Sequence, residues 1–242
     1  MKNLAKTKNM NIEVNVNNIQ LNVLETGVGD IKNRQGKLVF LLHGFPSYSG
    51  SWLRQIDMLN EAGYRVVAPD LRGFNTSEKP ESDGDINFEK AADDIAELAK
   101  YYEEDKVIII GHDFGGIVSW MFAMKYPDML EKFVAVTAPT PFYLSTILNI
   151  RNIFTHSYFF LFQIPGFDKI LARRAKPFIT KIFKNDPVNK NAYSREEIKG
   201  QVEAFSQKDV ALNCMRYYRS TPLIKDQIKS YGQIIHPIFL II

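Results

Sequence analysis

The sequence predicts an α/β fold, with a mostly parallel sheet flanked by helices and a helical insertion carried by the sheet. Strand and helix patterns alternate through residues 1–139. Continuous apolar runs at 38–42 and 107–110 are typical of strands buried on both faces of a parallel sheet. From 140 to 232 the pattern is helical and aromatic-rich. We therefore expect a first part of the core at 1–139, a lid at 140–232 and the start of a second core part at 233–242.

The individual elements follow from hydrophobic periodicity and turn residues. Apolar residues alternate on both sides of Asn17-Asn18, which predicts an antiparallel hairpin with a tight Asn turn. Further strands are expected at residues 38–42, 65–68, 107–110, 132–137 and 237–242. Helices are expected at residues 52–61, 88–102 and 114–125. The last of these helices is expected to end before Pro127.

Composition excludes several classes of function. The 242 residues are 45% hydrophobic, enough for one substantial core. A net charge of +3 with 24% charged residues predicts no nucleic-acid partner. One cysteine, Cys214, and four histidines show no zinc spacing, so neither metal nor cofactor is expected. The amino terminus has no apolar signal region and no run reaches the roughly eighteen apolar residues of a membrane span, which predicts a soluble cytoplasmic protein without a membrane partner.

The most informative motif is VIIIGHDFGG at residues 107–116, where a buried strand runs through Gly-X-Asp-X-Gly into a helix. This is the pattern of a nucleophile elbow, in which Gly111 and Gly115 supply the small residues that the sharp turn needs. The central residue is Asp113, a carboxylate able to attack saturated carbon and form an ester. The alternative is that Asp113 is the N-cap of an ordinary strand-to-helix turn.

A second motif, HGFP at residues 43–46, ends the strand at 38–42. Backbone N–H groups there can form one half of an oxyanion hole, and the residue after the nucleophile supplies the other half. The expected donors are the N–H groups of Phe45 and Phe114. Without Asp113, the same motif would indicate only a turn with a packed histidine.

With these motifs the chain resembles the α/β-hydrolase superfamily, within the epoxide hydrolase and haloalkane dehalogenase branch that uses an aspartate nucleophile. The resemblance extends over residues 12–242. The motifs that carry it are HGFP at 43–46, DLRGFNTSEKP at 70–80, GHDFGG at 111–116 and YPD at 126–128. It implies the α/β-hydrolase fold with a helical cap, and Asp113 as nucleophile.

The lid sequence resembles that of epoxide hydrolases. YFFLFQIPG at residues 158–166 is similar to the lid segment whose tyrosine hydrogen-bonds the epoxide oxygen, which implies this role for Tyr158. MRYYRS at 215–220 is similar to the segment with the second such tyrosine, here Tyr218. The alternative is that both tyrosines only pack in amphipathic helices. The implied substrate is a small apolar epoxide, hydrolysed with water to a diol. Its pocket is expected to include His43, Pro46, Phe142 and Phe162.

Two alternatives remain. A haloalkane or haloacid dehalogenase would use Trp or Arg after the nucleophile, or Asn in the HGXP turn, where this chain has Phe114 and Phe45. Phenylalanine cannot donate a hydrogen bond to halide, so dehalogenation fits less well. The second alternative is a non-catalytic, truncated product.

The base that hydrolyses the ester is expected to be missing. In the resembled families the acid lies just beyond a strand like the one at 237–242, or nearby, and the histidine follows one further strand. His236 begins that strand, about 20 Å from its carboxyl end at 3.3 Å per residue. We therefore expect the C-terminal strand and helices to be missing and turnover to be absent. The sequence also suggests that Asp70 and Arg72 form an ion pair beside the HGFP turn.

Overall fold

The computed structural model describes residues 9–26, 35–138, 140–141, 161–224, 231 and 238–241. Its strands are β1 (Asn9–Val16), β2 (Ile19–Thr26), β3 (Leu38–Leu42), β4 (Arg65–Pro69), β5 (Val107–His112), β6 (Leu130–Val136) and β7 (Ile238–Ile241). They form one sheet in the order β1-β2-β4-β3-β5-β6-β7. The pairs β1–β2 and β2–β4 are antiparallel, and the other pairs are parallel. The predicted, mostly parallel sheet is confirmed.

The hairpin at the start of the sheet turns at Asn17 and Asn18, whose φ angles are 48° and 59°. Asparagine tolerates this left-handed region better than most residues, and two such residues in succession suit a tight hairpin turn. Val16 pairs with Ile19 across the turn, and the strand pairing continues to Asn9 and Thr26. The structure thus confirms the predicted Asn turn.

Three helices flank the sheet: α1 (Leu53–Glu61), α2 (Phe88–Tyr101) and α3 (Phe114–Lys125). The side chain of Asn87 caps α2 by accepting a hydrogen bond from the N–H of Lys90. Helix α3 is apolar around most of its circumference and lies buried along most of its length, as expected for a helix enclosed by protein. It follows β5 directly, so it holds the turn between them in a fixed place.

Buried side chains form one cluster on each face of the sheet. The larger cluster joins β-strand residues to α2, α3 and the helices that follow β6. The smaller lies on the side of α1 and consists of Leu24, Val39, Leu41, Ile56, Val66 and Ala68. Along β5, Val107 and Ile109 are buried in the larger cluster, whereas Ile108 and Ile110 pack against the smaller one. This alternation gives β5 apolar side chains on both faces.

The described residues between 161 and 224 contain helices and turns but no strand. Their α-helices, together called the lid helices, are α4 (Phe167–Arg173), α5 (Ala175–Thr180), α6 (Arg195–Phe205) and α7 (Val210–Ser220). A π-helical turn, Lys181–Asn185, follows α5. Helix α6 begins with a capping box between Ser194 and Glu197. The domain bounds at residues 139 and 232 stay a prediction.

Side-chain contacts attach the lid helices to the sheet domain. Gln201 in α6 donates a hydrogen bond to the Ser51 hydroxyl over 2.6 Å. Arg216 in α7 donates to the carbonyl oxygens of Pro80 and Glu81 over 2.7 and 2.6 Å. These contacts place α6 and α7 beside the loops that follow β3 and β4. None of the helices that the structure describes is long and apolar enough to cross a bilayer.

Candidate active site

The turn between β5 and α3 has the geometry of the predicted elbow. Asp113 has φ 50° and ψ −113°, a conformation that an L-residue rarely adopts and that costs about 1–3 kcal/mol. A Cβ on Gly115 would collide with the carbonyl oxygen of Leu42, and one on Gly111 with that of Gly115. Both positions therefore require glycine, and the turn is held against β3 and α3.

Two backbone donors face the Asp113 carboxyl group. The N–H of Phe45 donates to Oδ2 over 2.8 Å. Burial raises the pKa of Asp113 above its ordinary value, while the hydrogen bond from Phe45, the charge of His112 and the N–H of Phe114 act to lower it. The carboxyl group makes no capping hydrogen bond to α3, so the N-cap interpretation has no support in the geometry. The expected donors, Phe45 and Phe114, both lie at this carboxyl group.

The HGFP turn lies directly against the elbow. A Cβ on Gly44 would lie 2.6 Å from Cβ of Asp113 and 2.8 Å from its Oδ2. His43 is buried, and its Nε2 accepts a hydrogen bond from the N–H of Leu71 over 3.0 Å. Burial lowers the pKa of His43, which favours a neutral ring with its proton on Nδ1, 3.1 Å from the carbonyl oxygen of Gly44. His43 therefore braces the turn with both ring nitrogens.

An aromatic cluster surrounds the Phe45 ring above Asp113. Its other members are Phe114, Phe162, Phe178, Phe205 and Tyr218, with ring centroids 5.4 to 6.2 Å from that of Phe45. The structure thus brings Phe162 and Tyr218, two of the predicted site residues, into contact with Phe45 and Phe114. Phe178 in α5 and Phe205 in α6 were missed, because periodicity places them on apolar helix faces without indicating what those faces cover. Tyr158 and Phe142 lie outside the described residues.

The two adjacent tyrosines of α7 have different surroundings. Tyr217 is fully buried, and its hydroxyl donates to the carbonyl oxygen of Arg72 over 3.2 Å. The ring of Tyr218 packs 4.9 Å from Phe114 and 4.8 Å from Phe162, measured between centroids. Both rings contact Phe114, but of this pair only Tyr218 is seen in contact with Phe45 and Phe162 as well. The hydrogen-bonding role expected of Tyr218 stays a prediction.

A cavity of about 620 Å³ lies beside the HGFP turn on the α1 side of the sheet. The sheet side of its lining contains Ile110, His112, Val134 and Val136, and the lid side contains Ile182, Phe183, Pro187 and Tyr193. Of the predicted pocket residues, His43 and Pro46 line this cavity and Phe162 does not. Gly44 and Phe45 border the cavity and also adjoin Asp113. Asp113 itself does not line the cavity, so the HGFP turn lies between the two.

The expected ion pair between Asp70 and Arg72 is wrong. Asp70 accepts hydrogen bonds from the N–H of Ser49 and from the side-chain amides of Asn22 and Asn75, at 2.6 to 2.7 Å. These donors fill the positions around the buried Asp70 carboxylate. Arg72 instead makes a bidentate pair with Asp94 of α2, through Nε at 2.7 Å and Nη2 at 2.6 Å. Its planar guanidinium matches that carboxylate, and the pair ties the loop after β4 to α2.

Comparison with known proteins identifies the family. A model described as the alpha/beta hydrolase fold matches residues 37–216, which contain the HGFP turn, the elbow and most of α7. The chain belongs to the α/β-hydrolase fold family. The predicted fold class is thereby confirmed, because the matched residues include the parallel strands β3 to β6 and the flanking helices α1 to α3.

Relatives of this α/β-hydrolase include epoxide hydrolases. It is 41% identical over 154 residues to the AB hydrolase superfamily protein YfhM of Bacillus subtilis, covering 63% of this chain and 52% of the relative. It is 32% identical over 195 residues to epoxide hydrolase 3 of Xenopus tropicalis, covering 78% of this chain and 53% of the relative. The chain thus spans about half the length of these two curated relatives.

Solved structures show the same fold. Epoxide hydrolase VrEH1 from Vigna radiata is 25% identical, with a TM-score of 0.79 over 96% of this chain and 79% of that one. Epoxide Hydrolase A from Mycobacterium thermoresistibile is 24% identical, with a TM-score of 0.80 over 96% of this chain and 82% of that one. At 24% identity, the similarity to Epoxide Hydrolase A shows only that the fold is shared.

Proposed function

We propose that the protein is an epoxide hydrolase-like hydrolase in which Asp113 attacks an epoxide carbon. The observation that carries the proposal is the Asp113 carboxyl group at the elbow, with Oδ2 held by the Phe45 N–H at 2.8 Å. A hydrogen bond on one oxygen orients the carboxylate and leaves the other oxygen to attack. The named epoxide hydrolases among the relatives and solved structures support the same class of substrate.

The proposed reaction begins with ring opening. A carboxylate oxygen of Asp113 forms a bond to an epoxide carbon as the bond from that carbon to the ring oxygen breaks. The charge that develops on the ring oxygen is stabilised by the hydroxyl of Tyr218, and of Tyr158, whose proton passes to the alkoxide. The products of this step are an alkyl ester of Asp113, a hydroxyl group on the neighbouring carbon and one deprotonated tyrosine, which regains its proton from water in the second step.

The second proposed step is hydrolysis of the ester. Water adds to the ester carbonyl, and the N–H groups of Phe45 and Phe114 stabilise the resulting oxyanion. Both ring nitrogens of His43 are engaged by Leu71 and Gly44, so His43 is a poor candidate for the base. We expect the base that activates water to lie outside the described residues. Release of the diol restores the Asp113 carboxylate.

The aromatic cluster suits an apolar substrate better than a halide. In this proposal the rings of Phe45 and Phe114 contact the substrate carbon skeleton and supply no side-chain donor for a leaving halide. The test is to offer an aryl epoxide and the matching chloroalkane separately to the protein. We expect a covalent adduct from the epoxide alone. Chloride release with no reaction of the epoxide would contradict the proposal in favour of a dehalogenase.

Adjacent tyrosines provide a matched pair of variants for the ring-opening step. Tyr218→Phe removes the proposed proton donor, and we expect alkylation to slow by about 10²-fold. Tyr217→Phe removes a hydroxyl that bonds the Arg72 carbonyl, so it should cost about 1 kcal/mol of stability without changing the alkylation rate. Equal alkylation rates in the two variants would contradict the role proposed for Tyr218.

A further inference from the structure

Positive charge is concentrated in one part of the lid. Residues 167–190 contain seven Lys and Arg against two Asp, a net charge of +5, whereas the whole chain carries +3. The seven cations are Lys169, Arg173, Arg174, Lys176, Lys181, Lys184 and Lys190, and all of them are exposed. Within the part of the chain that the structure describes, none of the seven forms a salt bridge. Their charge is therefore available to a partner.

Buried positions recur three or four residues apart along α4 and α5, at Asp168, Leu171, Ala175 and Ile179. The exposed cations between these positions and in the π-helical turn that follows, together with the exposed Ile170, are here called the basic lid face. Its cations are Lys169, Arg173, Arg174, Lys176, Lys181 and Lys184. Asp168 is buried, and its Oδ1 lies 3.9 Å from Nη2 of Arg219, so Asp168 is on the inner side of α4.

Large apolar side chains are exposed beside the same charges. Ile170 is 55% exposed, and Ile164 and Leu161, just before α4, are 52% and 41% exposed. Transfer of exposed isoleucine and leucine side chains from water into an apolar phase is favourable. Nucleic acid would neutralise the cations and leave these side chains exposed. An amphipathic surface with both features fits the interface of a lipid bilayer.

We propose, in place of the sequence-based expectation that there is no membrane partner, that the basic lid face docks on the surface of an anionic lipid bilayer. Clusters of four to eight Lys and Arg on an amphipathic helix are attracted to the negative surface potential of such membranes. In this arrangement Ile164 and Ile170 enter the headgroup region, and the cations contact lipid phosphates and carboxylates. The inner side of the same helices carries Phe178, which packs on Phe45, so docking would hold the aromatic cluster near a phase in which apolar molecules dissolve.

The inference stands whether or not the proposed function holds, because lipid binding is measured without substrate. The full chain is sedimented with phosphatidylcholine vesicles, with and without phosphatidylserine. We expect binding only when phosphatidylserine is present, and weaker binding as salt concentration rises. The triple variant Arg173→Gln, Lys181→Gln, Lys184→Gln should bind roughly hundredfold more weakly. The matched control replaces three exposed lysines elsewhere, Lys100, Lys106 and Lys208, by Gln and should bind as the parent does.

Two further measurements complete the test. Ile164→Ser with Ile170→Ser should weaken vesicle binding even though no charge changes, and circular dichroism checks that each variant is folded. The same proteins are titrated with a duplex oligonucleotide. Binding to vesicles that ignores phosphatidylserine, or equal binding by the triple variant and its control, would overturn the proposal. Tighter binding to the oligonucleotide, unaffected by the isoleucine substitutions, would assign the face to nucleic acid instead.

Discussion

Replacing Gly44 by alanine should separate the Phe45 donor from the proposed nucleophile. The added Cβ would lie 2.6 Å from Cβ of Asp113 and 2.8 Å from the carbonyl oxygen of His112. Carbon atoms pack best at about 3.5–4.0 Å, so the overlap is roughly 1 Å. Asp113 cannot easily retreat, because its N–H donates to Val136 at 3.1 Å and its carbonyl oxygen accepts from Ile117 at 3.0 Å. The HGFP turn must therefore move and carry the Phe45 N–H away from Oδ2.

The size of the effect follows from that lost hydrogen bond. In the alkylation step the Phe45 N–H orients the attacking carboxylate, and a misplacement of about 1 Å can lower a rate by about 10²-fold. Overpacking of this kind costs about 1–3 kcal/mol of stability, which corresponds to about 2–4 °C in Tm per kcal/mol in a chain of this length. The assay is the rate at which an aryl epoxide alkylates the protein, followed by intact mass, beside a thermal melt. We expect Gly44→Ala to alkylate about a hundredfold more slowly than the parent.

Gly84 offers a matched control for this substitution. A Cβ there would meet only the Ser82 hydroxyl at 3.8 Å, an ordinary contact, so Gly84→Ala should keep both the melting temperature and the alkylation rate. If Gly44→Ala folds and alkylates at the parent rate, the Phe45 N–H does not contribute to the reactivity of Asp113. A lower melting temperature of Gly44→Ala with an unchanged alkylation rate would lead to the same conclusion.

Three further predictions concern stability. Arg72→Met leaves the Asp94 carboxylate buried without its bidentate partner, so the free energy of unfolding measured in urea should fall by about 3–5 kcal/mol. A loss below about 1 kcal/mol would contradict the importance of this pair. Tyr102→Phe removes the 2.6 Å hydrogen bond from that buried hydroxyl to Glu25 and should cost about 1.5–3 kcal/mol by the same method, whereas an unchanged midpoint would contradict it. Folding raises the pKa of Asp113, so its ionised form opposes folding most above the folded pKa. Asp113→Asn should therefore melt at a higher temperature than the parent at pH 7, and this gain in Tm should shrink as the pH falls through that pKa. A gain in Tm that is the same at every pH would contradict the raised pKa of Asp113 as its cause.

Local sequence signals fixed most element bounds. Helix α3 spans Phe114–Lys125 and β3 spans Leu38–Leu42, as predicted, because an elbow and a proline bound the helix and a turn motif ends the strand. Strand β5 continues to His112, two residues beyond the predicted end at 110. In the sequence, Gly111 and His112 mark the start of the elbow. In the structure both residues still pair with β6, so the neighbouring strand determines where β5 ends.

Contacts between distant residues could not be predicted in the same way. Arg72 and Asp94 lie on different elements, and only the packing of α2 against the loop after β4 decides that Arg72 pairs with Asp94 instead of Asp70. Phe178 and Phe205 join the aromatic cluster because α5 and α6 bring their rings against Phe45 of the HGFP turn. Their spacing in the sequence indicates that they are buried, but it contains no information on the relative placement of two lid helices.

The most direct test of the account is to locate the covalent adduct. The protein is treated with an aryl epoxide, quenched in acid and digested with trypsin. In the peptide of residues 107–125, Asp113 is the only acidic side chain. We predict that this peptide gains the mass of one epoxide, that hydroxylamine removes it as expected of an ester, and that Asp113→Asn gives no such product. A label that resists hydroxylamine, lies on another peptide, or persists in Asp113→Asn would contradict the claim that Asp113 is the nucleophile.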